Sequence, residues 1–548
     1  MKNRIRLNYT FRLFYAMGFF CTFLIPLQIF AAIGAPNALQ ALQSDRVIHV
    51  NNFPPHASDS NPGTNALPLK TIGMATTLAL ENHKRGFSTK ILIYPGVYRE
   101  KIHMEFSSKK LDPTITFEAI EHGKTIISGS EIWENWEGTK HKNIYTHKWP
   151  FKWGVRPYPP GWEGKTILQP IVRRQEMVFV NGIKFNQADL HSEMKPGDFS
   201  VSEENSEVAI FLPDNVDIKQ SQVEVAVQKG LFTIKGKSNF VLKGLRFQHD
   251  ASGLVGHALG ITNAKNVYLE DCVFAWNNWG GYQFYNVQNL TTRRNVSTHN
   301  GGPGHTAWRI KNYLSEDDET SFNNWRGAKG NFVYWAVAGT KIMGIHDATF
   351  RRHRAQGNHT AGFWLDYDNK NIEIEDGVSC GNLKHGLFLE ATQGPLTITN
   401  MKIYQNQEWG IRIVNSSQIN VTESQVYHNR GPQIRVQGQK TRGINDWETG
   451  ERLNLGAEKW TLENNIIVGD GLLVQSSFKN PLGPGLKSNG NFWSSASNTK
   501  PFQAAADRLT FSEWQISMNQ DQTSTFAFPI QPESGQALLD NCTYRGLD

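Results

Sequence analysis

The sequence predicts an all-β fold, a right-handed single-stranded parallel β-helix, and three observations support this. Gly362, Gly386 and Gly410 begin similar segments that are 24 residues apart. About ten residues after each glycine, a second short run alternates apolar and polar side chains. Asparagines recur at the same interval. A fixed period of short strands is typical of coils that stack and bury their inner side chains against their neighbours.

The polar positions of the repeat also fit stacked coils. Asn358, Asn382 and Asn406 are each 24 residues apart, and Asp376 and Asn400 share a second phase. Side-chain amides at one corner of successive coils can hydrogen-bond along the stack. We therefore interpret these residues as structural ladders rather than as catalytic groups.

Loss of the repeat divides the chain into four predicted parts. Residues 1–41 form a signal peptide, 42–131 the N-terminal cap and first coils, 132–226 an inserted small β-sandwich or barrel, and 227–548 the main β-helix with a C-terminal cap. Within the insertion, Asn181-Gly182 predicts a hairpin. We expect the insertion to lean over one face of the β-helix and to wall part of a cleft.

Short helices are predicted to cap both ends of the β-helix. Thr71 is a suitable N-cap for a helix over 72–83, which would cover the first coil and block edge pairing. Near the C-terminus, Thr510 and Glu513 form a capping box that opens a second short helix.

The N-terminal residues are typical of a secretory signal. Four basic residues precede an apolar run from Leu13 to Ala35, and small residues continue to Ala41. Cleavage after Ala38 or Ala41 would give a secreted or periplasmic bacterial protein with no stable membrane insertion. The run is also long enough to span a bilayer, so an uncleaved anchor is the alternative.

Charge and cysteine content exclude several classes of protein. The 548-residue chain has a formal net charge of +6, and four of its basic residues lie in the first 41, so the remainder is almost neutral. Binding of nucleic acid through phosphate electrostatics is therefore not expected. Cys272, Cys380 and Cys542 remain after signal cleavage, without a CxxC motif or a His/Cys cluster. We expect neither a disulfide-defined fold nor a metal or other cofactor.

Two acidic residues occupy the same outward position of adjacent repeats. Residues one and three after each aligned glycine are apolar and point inward, so residues two and four point outward. The fourth residue is Asp366 in one coil, Glu390 in the next and Val414 in the third. Like charges opposite each other destabilise a sheet. Retaining glycosidases, however, need two carboxyl groups about 5–5.5 Å apart, so the pair is a catalytic candidate. The alternative is two solvated surface acids.

The residues around this pair suggest sugar binding. Trp364 and Phe388 share one outward column and Arg412 follows them, which places aromatic faces beside the carboxylates. A second aromatic and basic cluster lies upstream. The complete set of predicted substrate-binding residues is Trp364, Asp368, His385, Phe388, Arg412, Trp325, Arg326 and Trp335.

Two strings of residues resemble a known group of proteins. Gly-Phe-Trp-Leu-Asp-Tyr-Asp-Asn at 362–369 and His-Gly-Leu-Phe-Leu-Glu at 385–390 resemble secreted bacterial parallel β-helix proteins, above all the β-helix glycoside hydrolases typified by bacterial β-xylosidases. The resemblance implies a β-helix with an inserted β-sandwich, an Asp nucleophile and a Glu acid/base one coil later. Carried over by position, these two are Asp366 and Glu390.

The predicted function is a secreted carbohydrate-active enzyme, a retaining glycoside hydrolase whose partner is a poly- or oligosaccharide. One alternative is a polysaccharide lyase acting on an acidic glycan, with Lys384, His385 or Arg412 as the base and Arg326 neutralising a uronate. Another is a non-catalytic glycan-binding or envelope protein. The sugar, its linkage and the oligomeric state are left open.

Overall fold

Parallel strands stacked in three faces form most of the chain. The computed structural model describes residues 44–53, 55–106, 113–438, 441–477, 487–527 and 542. In these residues, strands one coil apart pair in parallel along two large sheets, so the predicted parallel β-helix is confirmed. One of the two sheets bends at a corner and supplies the first and second faces, and the other sheet is the third face.

The strands of each face follow the chain in order. The first face contains Ile102–Glu105, Phe232–Lys235, Ala361–Asp366, Leu387–Glu390, Ile411–Val414, Ile434–Gln437, Val474–Ser476 and Phe502–Ala504, with Asp507–Leu509 antiparallel to the last. The second contains Arg46–Val50, Thr89–Ile93, Ile115–Ala119, Ser238–Lys243, Lys370–Glu375, Leu396–Thr399, Ile419–Thr422, Trp460–Glu463 and Lys487–Asn489. Four long strands cross both faces: His257–Glu270, Gly280–Arg293, His305–Glu316 and Ala338–Arg351. The third contains Gly96–Tyr98, Thr125–Ser128, Leu245–Gln248, Val273–Ala275, Val296–Thr298, Glu319–Ser321, Arg354–Gln356, Val378–Cys380, Lys402–Tyr404, Gln425–Tyr427, Ile466–Gly469, Phe492–Ser495 and Thr525–Ala527.

Asparagine side chains connect the coils at a buried corner. The Asn358 amide donates to Asn382 Oδ1 at 2.9 Å, and the Asn382 amide donates to Asn406 Oδ1 at 2.9 Å. The series continues to Asn429 at 2.8 Å. Because each amide also donates to a backbone carbonyl, these buried polar groups are satisfied without water. The predicted ladder is confirmed.

The aligned glycines begin adjacent strands, as predicted. Phe363 is paired with Leu387, and Leu387 with Ile411, so the three glycines before them lie one coil apart. A side chain has no room there: a Cβ on Gly386 would lie 2.5 Å from Ile403 Cγ2 and 2.8 Å from the Gly410 carbonyl oxygen. Close stacking of the coils is thus the physical reason for the glycine period.

A Gly386→Ala substitution should destabilise the β-helix. The added methyl group must displace neighbouring backbone, and overpacking of this kind costs about 1–3 kcal/mol. We expect a lower midpoint of thermal unfolding, measured by circular dichroism. Gly260→Ala is the matched control, because nothing lies within 4 Å of a Cβ at Gly260. Equal midpoints for the two variants would contradict the stacking argument.

Helices close both ends of the apolar interior. The helix Ile72–Lys84 begins at Thr71, whose side chain accepts a hydrogen bond from Met74 N, and its buried residues join the core of the first coils. At the other end, the helix Phe511–Met518 has the predicted capping box and buries Trp514 against Phe502, with ring centroids 4.8 Å apart. Both predicted caps are confirmed.

The segment without a repeat forms two small sheets outside the β-helix. Its hairpin at Asn181-Gly182 has the predicted position, and its strands enclose a core of their own. The strands of the first sheet are Ser130–Ile132, Val178–Val180, Ile183–Lys184 and Val223–Ala226, and those of the second are Glu137–Gly138, Ile144–Lys148, Asn186–Gln187, Asp198–Ser202 and Glu207–Phe211. The short helices Pro170–Arg173, His191–Glu193 and Ile218–Gln220 connect them, and Trp325–Lys329 on the β-helix packs against the first of these.

The predicted signal peptide, residues 1–41, lies outside the described residues and stays a prediction. Among the described residues, the structure contains no helix with the length and apolar character to cross a membrane. One disulfide joins Cys380 on the third face to Cys542, with Cα atoms 5.9 Å apart, and Cys272 is free and buried. The coils themselves are therefore held by strand pairing and core packing.

Acid should unfold the protein, because several histidines are buried in neutral form. Burial lowers the pKa of His249 and His353 to about 3 and that of His257 to about 4. In the unfolded chain a histidine titrates near ~6.5, so that state binds more protons as the pH falls below this value. Each such histidine then reduces stability by roughly 1 kcal/mol per pH unit, until the pH reaches the folded pKa.

The unfolding midpoint should therefore fall steadily from pH 7 to pH 5. A His353→Gln variant should have a shallower dependence on pH, although it loses hydrogen bonds to Thr320 and Thr340. A midpoint that is constant over this range would show that the histidines become protonated without unfolding.

Candidate active site

An open cleft of about 950 Å³ runs over the outer surface of the first face. Its floor is formed by outward side chains of successive coils, and its walls by loops that leave the coils. Trp162, from the inserted segment, lines one wall and lies 6.2 Å from Trp335, ring centroid to ring centroid. The insertion therefore contributes to the cleft, as the sequence analysis expects.

Asp366 and Glu390 lie next to each other on the floor of this cleft. They are directly paired in the register of strands Ala361–Asp366 and Leu387–Glu390. Leu365 and Leu389, which precede them, are fully buried, so the alternation of the strands directs both carboxyl groups outward. Met343 occupies the same position one coil earlier and Val414 one coil later, which leaves the two acids as an isolated pair.

Each carboxylate has a cationic partner. The Lys341 ammonium lies 2.9 Å from Asp366 Oδ2 and 3.2 Å from the centroid of the Trp364 ring, and it also donates to the Trp335 carbonyl. Burial lowers the pKa of Lys341, while Asp366 opposes this effect. On the other carboxylate, Arg442 forms an ion pair with Glu390 Oε1.

Trp364 and Phe388 are less accessible than the sequence suggests. Their rings stack with centroids 4.7 Å apart, and only 5 % and 4 % of these residues is exposed. Lys341 covers the Trp364 ring, and the Arg412 guanidinium lies 4.4 Å from the centroid of Phe388. These two aromatic residues therefore support the cations of the floor and do not form an open platform for a sugar.

The accessible aromatic surface lies at the rim. Trp335 was predicted to bind substrate, and it lines the cleft with 41 % of its surface exposed. Tyr334, which precedes it in the same aromatic and basic cluster, also lines the cleft, as do Trp308 and Trp409, which sequence reasoning missed. Such rings are suited to stacking against sugar rings.

Two other predicted substrate-binding residues lie beneath the surface. His385 is completely buried, and its ring stacks on Trp409 at a centroid distance of 4.5 Å. Asp368 is 1 % exposed and accepts a hydrogen bond from Trp447 N at 2.8 Å. His385 precedes the strand Leu387–Glu390 and Asp368 follows the strand Ala361–Asp366, and both contact the framework of the cleft rather than its interior.

Trp325 and Arg326 are not brought to the acidic pair. They line a separate pocket of about 250 Å³, between the insertion and the β-helix. The Arg326 guanidinium is buried and donates to the Ile171 and Glu176 carbonyls and to Gln187 Oε1. Because its donors are used in this way, Arg326 fastens the insertion to the β-helix.

A hairpin, Arg442–Asn445 paired with Arg452–Leu455, brings Arg442 to the cleft. Its turn is fixed by Asp446, which accepts hydrogen bonds from Glu448 N and Thr449 N, both at 2.9 Å. This hairpin interrupts the coils and has no counterpart in the repeat, so nothing in the sequence period indicated it.

Among the described residues, His346, Asp368 and Asp446 could hold a metal ion, since their donor atoms lie within 4.8 Å of one another. The Gln393 amide, however, donates to both carboxylates. Burial opposes the charged form of His346, but hydrogen bonds to Asp368 and Glu448 raise its pKa, which favours a positive charge beside these carboxylates. Gln393 and His346 thus already provide hydrogen-bond partners for these carboxylates. The cluster of His346, Asp368 and Asp446 fastens the hairpin to the β-helix.

Comparisons with known proteins agree with this architecture. A family model described as right handed beta helix region matches residues 257–426. No curated protein is significantly similar in sequence. The fold and the family model together define the chain as a right-handed parallel β-helix protein.

Among solved structures, the chain is similar to one described as the complex structure of XylC with xylose. The TM-score is 0.67 at 14 % identity, over 89 % of this chain and 87 % of that one. The A-module of the Azotobacter vinelandii mannuronan C-5 epimerase AlgE6 has a TM-score of 0.48 at 15 % identity, over 84 % of this chain and 96 % of that one. The likeness to XylC, at 14 % identity, shows the fold, and the expected resemblance to parallel β-helix proteins is confirmed at the level of the fold.

Proposed function

We propose that the protein is a carbohydrate-active enzyme, specifically a retaining glycoside hydrolase that acts on a poly- or oligosaccharide. The observation that carries the proposal is the paired register of Asp366 and Glu390 on the floor of an open cleft. Strands ~4.8 Å apart hold two outward carboxyl groups near the separation that retaining glycosidases use. The similarity to XylC, whose structure was solved with xylose, also supports a sugar ligand.

Asp366 is assigned as the nucleophile. The Lys341 ammonium lies 2.9 Å from Asp366 Oδ2 and holds this carboxylate in position for attack. The Trp364 ring holds the Lys341 ammonium in place by a cation–π contact, and Lys341 in turn orients the Asp366 carboxylate. A short Asp side chain on a strand also has little freedom to move away from the anomeric carbon.

Glu390 is assigned as the acid/base. It protonates the leaving oxygen and then activates water. For the first step Glu390 must carry a proton, so Arg442 has to turn away when substrate enters. The Arg442 side chain is 35 % exposed and begins a hairpin, so it has room for this movement.

The products test the reaction type. A panel of aryl glycosides and plant or algal polysaccharides should identify a substrate, and NMR of the first product should show the same anomeric configuration as the substrate. An inverted product would contradict the assignment, because inverting enzymes hold their carboxyl groups about 6.5–9.5 Å apart.

One observation favours a polysaccharide lyase as the second candidate. Lys341 lies buried in the cleft, and burial lowers its pKa, which brings this side chain closer to acting as a base. The bases expected from the sequence fit less well, since Lys384 pairs with Glu408 at 2.7 Å and His385 is fully buried. A lyase would release products that absorb in the ultraviolet, which hydrolysis does not.

We also propose a secreted or periplasmic location, which rests on the signal predicted for residues 1–41. The N-terminal sequence of the protein recovered from its native host tests this directly. A mature chain that begins near residue 39 or 42 supports export with cleavage.

A further inference from the structure

Two arginines lie side by side on the outward surface of the first face, near the acidic pair: Arg412 lines the cleft, and Arg435 lies beside it on the next strand. Arg412 follows Phe388 in the same outward column, and Arg435 is its partner on the next strand. Like charges directly opposite each other destabilise a sheet. Among the described residues, neither guanidinium forms an ion pair with a carboxylate. Lys341 and Arg442, by contrast, are each paired with an acid.

Aromatic rings hold these two guanidinium groups in place. Arg412 lies 4.4 Å from the centroid of Phe388 and 4.9 Å from that of Trp409, and Arg435 lies 4.2 Å from the centroid of Trp409. The Nε atom of each arginine is buried and makes no hydrogen bond. Because stacking fixes both side chains without neutralising them, they are prepared to bind a planar or tetrahedral anion.

The carboxylates that act on these arginines are already paired with other groups. Glu390, which acts on Arg412, forms its ion pair with Arg442. Burial holds the pKa of His385 well below its ordinary value, so the neutral ring lies beside Arg412 Nη1 at 3.2 Å without offsetting its charge. Glu408, which acts on both arginines from farther away, is already bound to Lys384 at 2.7 Å and to the Tyr334 hydroxyl at 2.9 Å. Neither arginine is directly paired with an acid, and Arg412 presents its guanidinium to the cleft.

The two arginines lie one and two strands away from Glu390, the proposed acid/base. The strand of Arg412 is one step from that of Glu390 and the strand of Arg435 is two steps away, or ~5 and ~10 Å along the stack. The first of these distances, ~5 Å, is about the distance from one sugar unit to the next.

We propose that Arg412 and Arg435 form an anion subsite that binds a carboxylate or sulfate group on the sugar next to the cleaved bond. The preferred substrate is then an acidic glycan, either a uronate-containing or a sulfated chain. The position relative to the cleaved bond rests on the proposed hydrolase function, whereas the binding of anionic sugars does not.

Binding of size-matched oligosaccharides tests the subsite; an Asp366→Asn substitution introduced into the wild-type protein and into every variant prevents turnover during the titration. Isothermal titration calorimetry should show that the wild-type protein binds a uronate-containing or a sulfated oligosaccharide more tightly than a neutral one, and the two acidic ligands together identify which group is recognised. The Arg412→Met and Arg435→Met variants should each lose about 10–100-fold in affinity for the preferred acidic ligand. Affinity for the neutral ligand should change little.

Two further variants separate loss of the subsite from loss of the fold. Arg412→Lys keeps the charge but not the planar fork, so its affinity should lie between those of wild type and Arg412→Met. Arg294→Met is the matched control, because Arg294 is paired with Asp271 at 2.7 Å and does not line the cleft. It should bind as wild type does.

Equal affinity of the wild-type protein for acidic and neutral ligands would overturn the proposal. The proposal would also be overturned if both the Arg412→Met and the Arg435→Met variant bound the acidic ligand as tightly as the wild-type protein does. If acidic ligands bind through these arginines but no glycoside is hydrolysed, the hydrolase proposal fails and the subsite stands. If neutral glycosides are hydrolysed without any preference for acidic ones, the subsite proposal fails and the hydrolase proposal stands.

Discussion

An Asp366→Asn variant should lose all measurable turnover on every substrate of the wild-type enzyme. An amide cannot attack the anomeric carbon, and loss of a nucleophile typically lowers kcat by about 10⁴-fold or more. Asn has nearly the same shape as Asp, so the strand register that aligns this residue with Glu390 should persist. The measurement is the initial rate on the best aryl glycoside, together with the unfolding midpoint.

Asp376→Asn is the matched control for this variant. Asp376 accepts a hydrogen bond from the Asn400 amide at 2.8 Å on an exposed corner, and an asparagine there can accept the same bond. It should keep full activity. Turnover that survives in Asp366→Asn would remove Asp366 from the mechanism and move the lyase candidate, with Lys341 as base, to the front.

A Glu390→Ala variant should lose activity in proportion to how much protonation the leaving group needs. Natural glycans, whose leaving groups are poor, should react about 10²–10⁴-fold more slowly, the range that general acid catalysis supplies. Aryl glycosides with good leaving groups should still form the glycosyl-enzyme. Azide should then accelerate the second step and yield a glycosyl azide of unchanged anomeric configuration.

The azide product discriminates between roles for Glu390. A product of inverted configuration would indicate that Glu390, rather than Asp366, is the nucleophile. Normal activity of Glu390→Ala on natural glycans would show that neither role applies. In the Glu390→Ala variant, Arg442 lacks its only acidic partner among the described residues. A lower unfolding midpoint of this variant is therefore expected in any case and does not bear on the catalytic role of Glu390.

The parts of the fold that repeat could be predicted from the sequence because each follows from a local rule. A Cβ on Gly386 would clash with the next coil, and Asn382 must satisfy its amide within the stack, so both residues mark the period directly. The acidic pair follows from the same period plus strand alternation, which fixes the side on which a residue emerges.

Residues outside the period could not be placed in this way. Arg326 lies in an aromatic and basic string that resembles a sugar site, but the inserted segment, more than 130 residues earlier, takes up its donors. Arg442 is carried by a hairpin between coils. Lys341 was missed for another reason: the repeat that begins at Gly339 precedes Gly362 by 23 residues rather than 24. In addition, Thr340, directly after this glycine, is polar where the aligned repeats have an apolar residue, so this coil was not aligned with the others.

The pairing of Asp366 with Glu390 across two adjacent coils has an evolutionary consequence. Because every coil contacts only its neighbours, duplication or loss of coils on either side would lengthen or shorten the cleft without disturbing the two reacting groups. The arginine-bearing strands that begin at Ile411 and Ile434 belong to coils on one side of the acidic pair. Relatives with the same pair could therefore diverge in the chain length and charge of the glycan they accept by exchanging whole coils, while the chemistry stays unchanged.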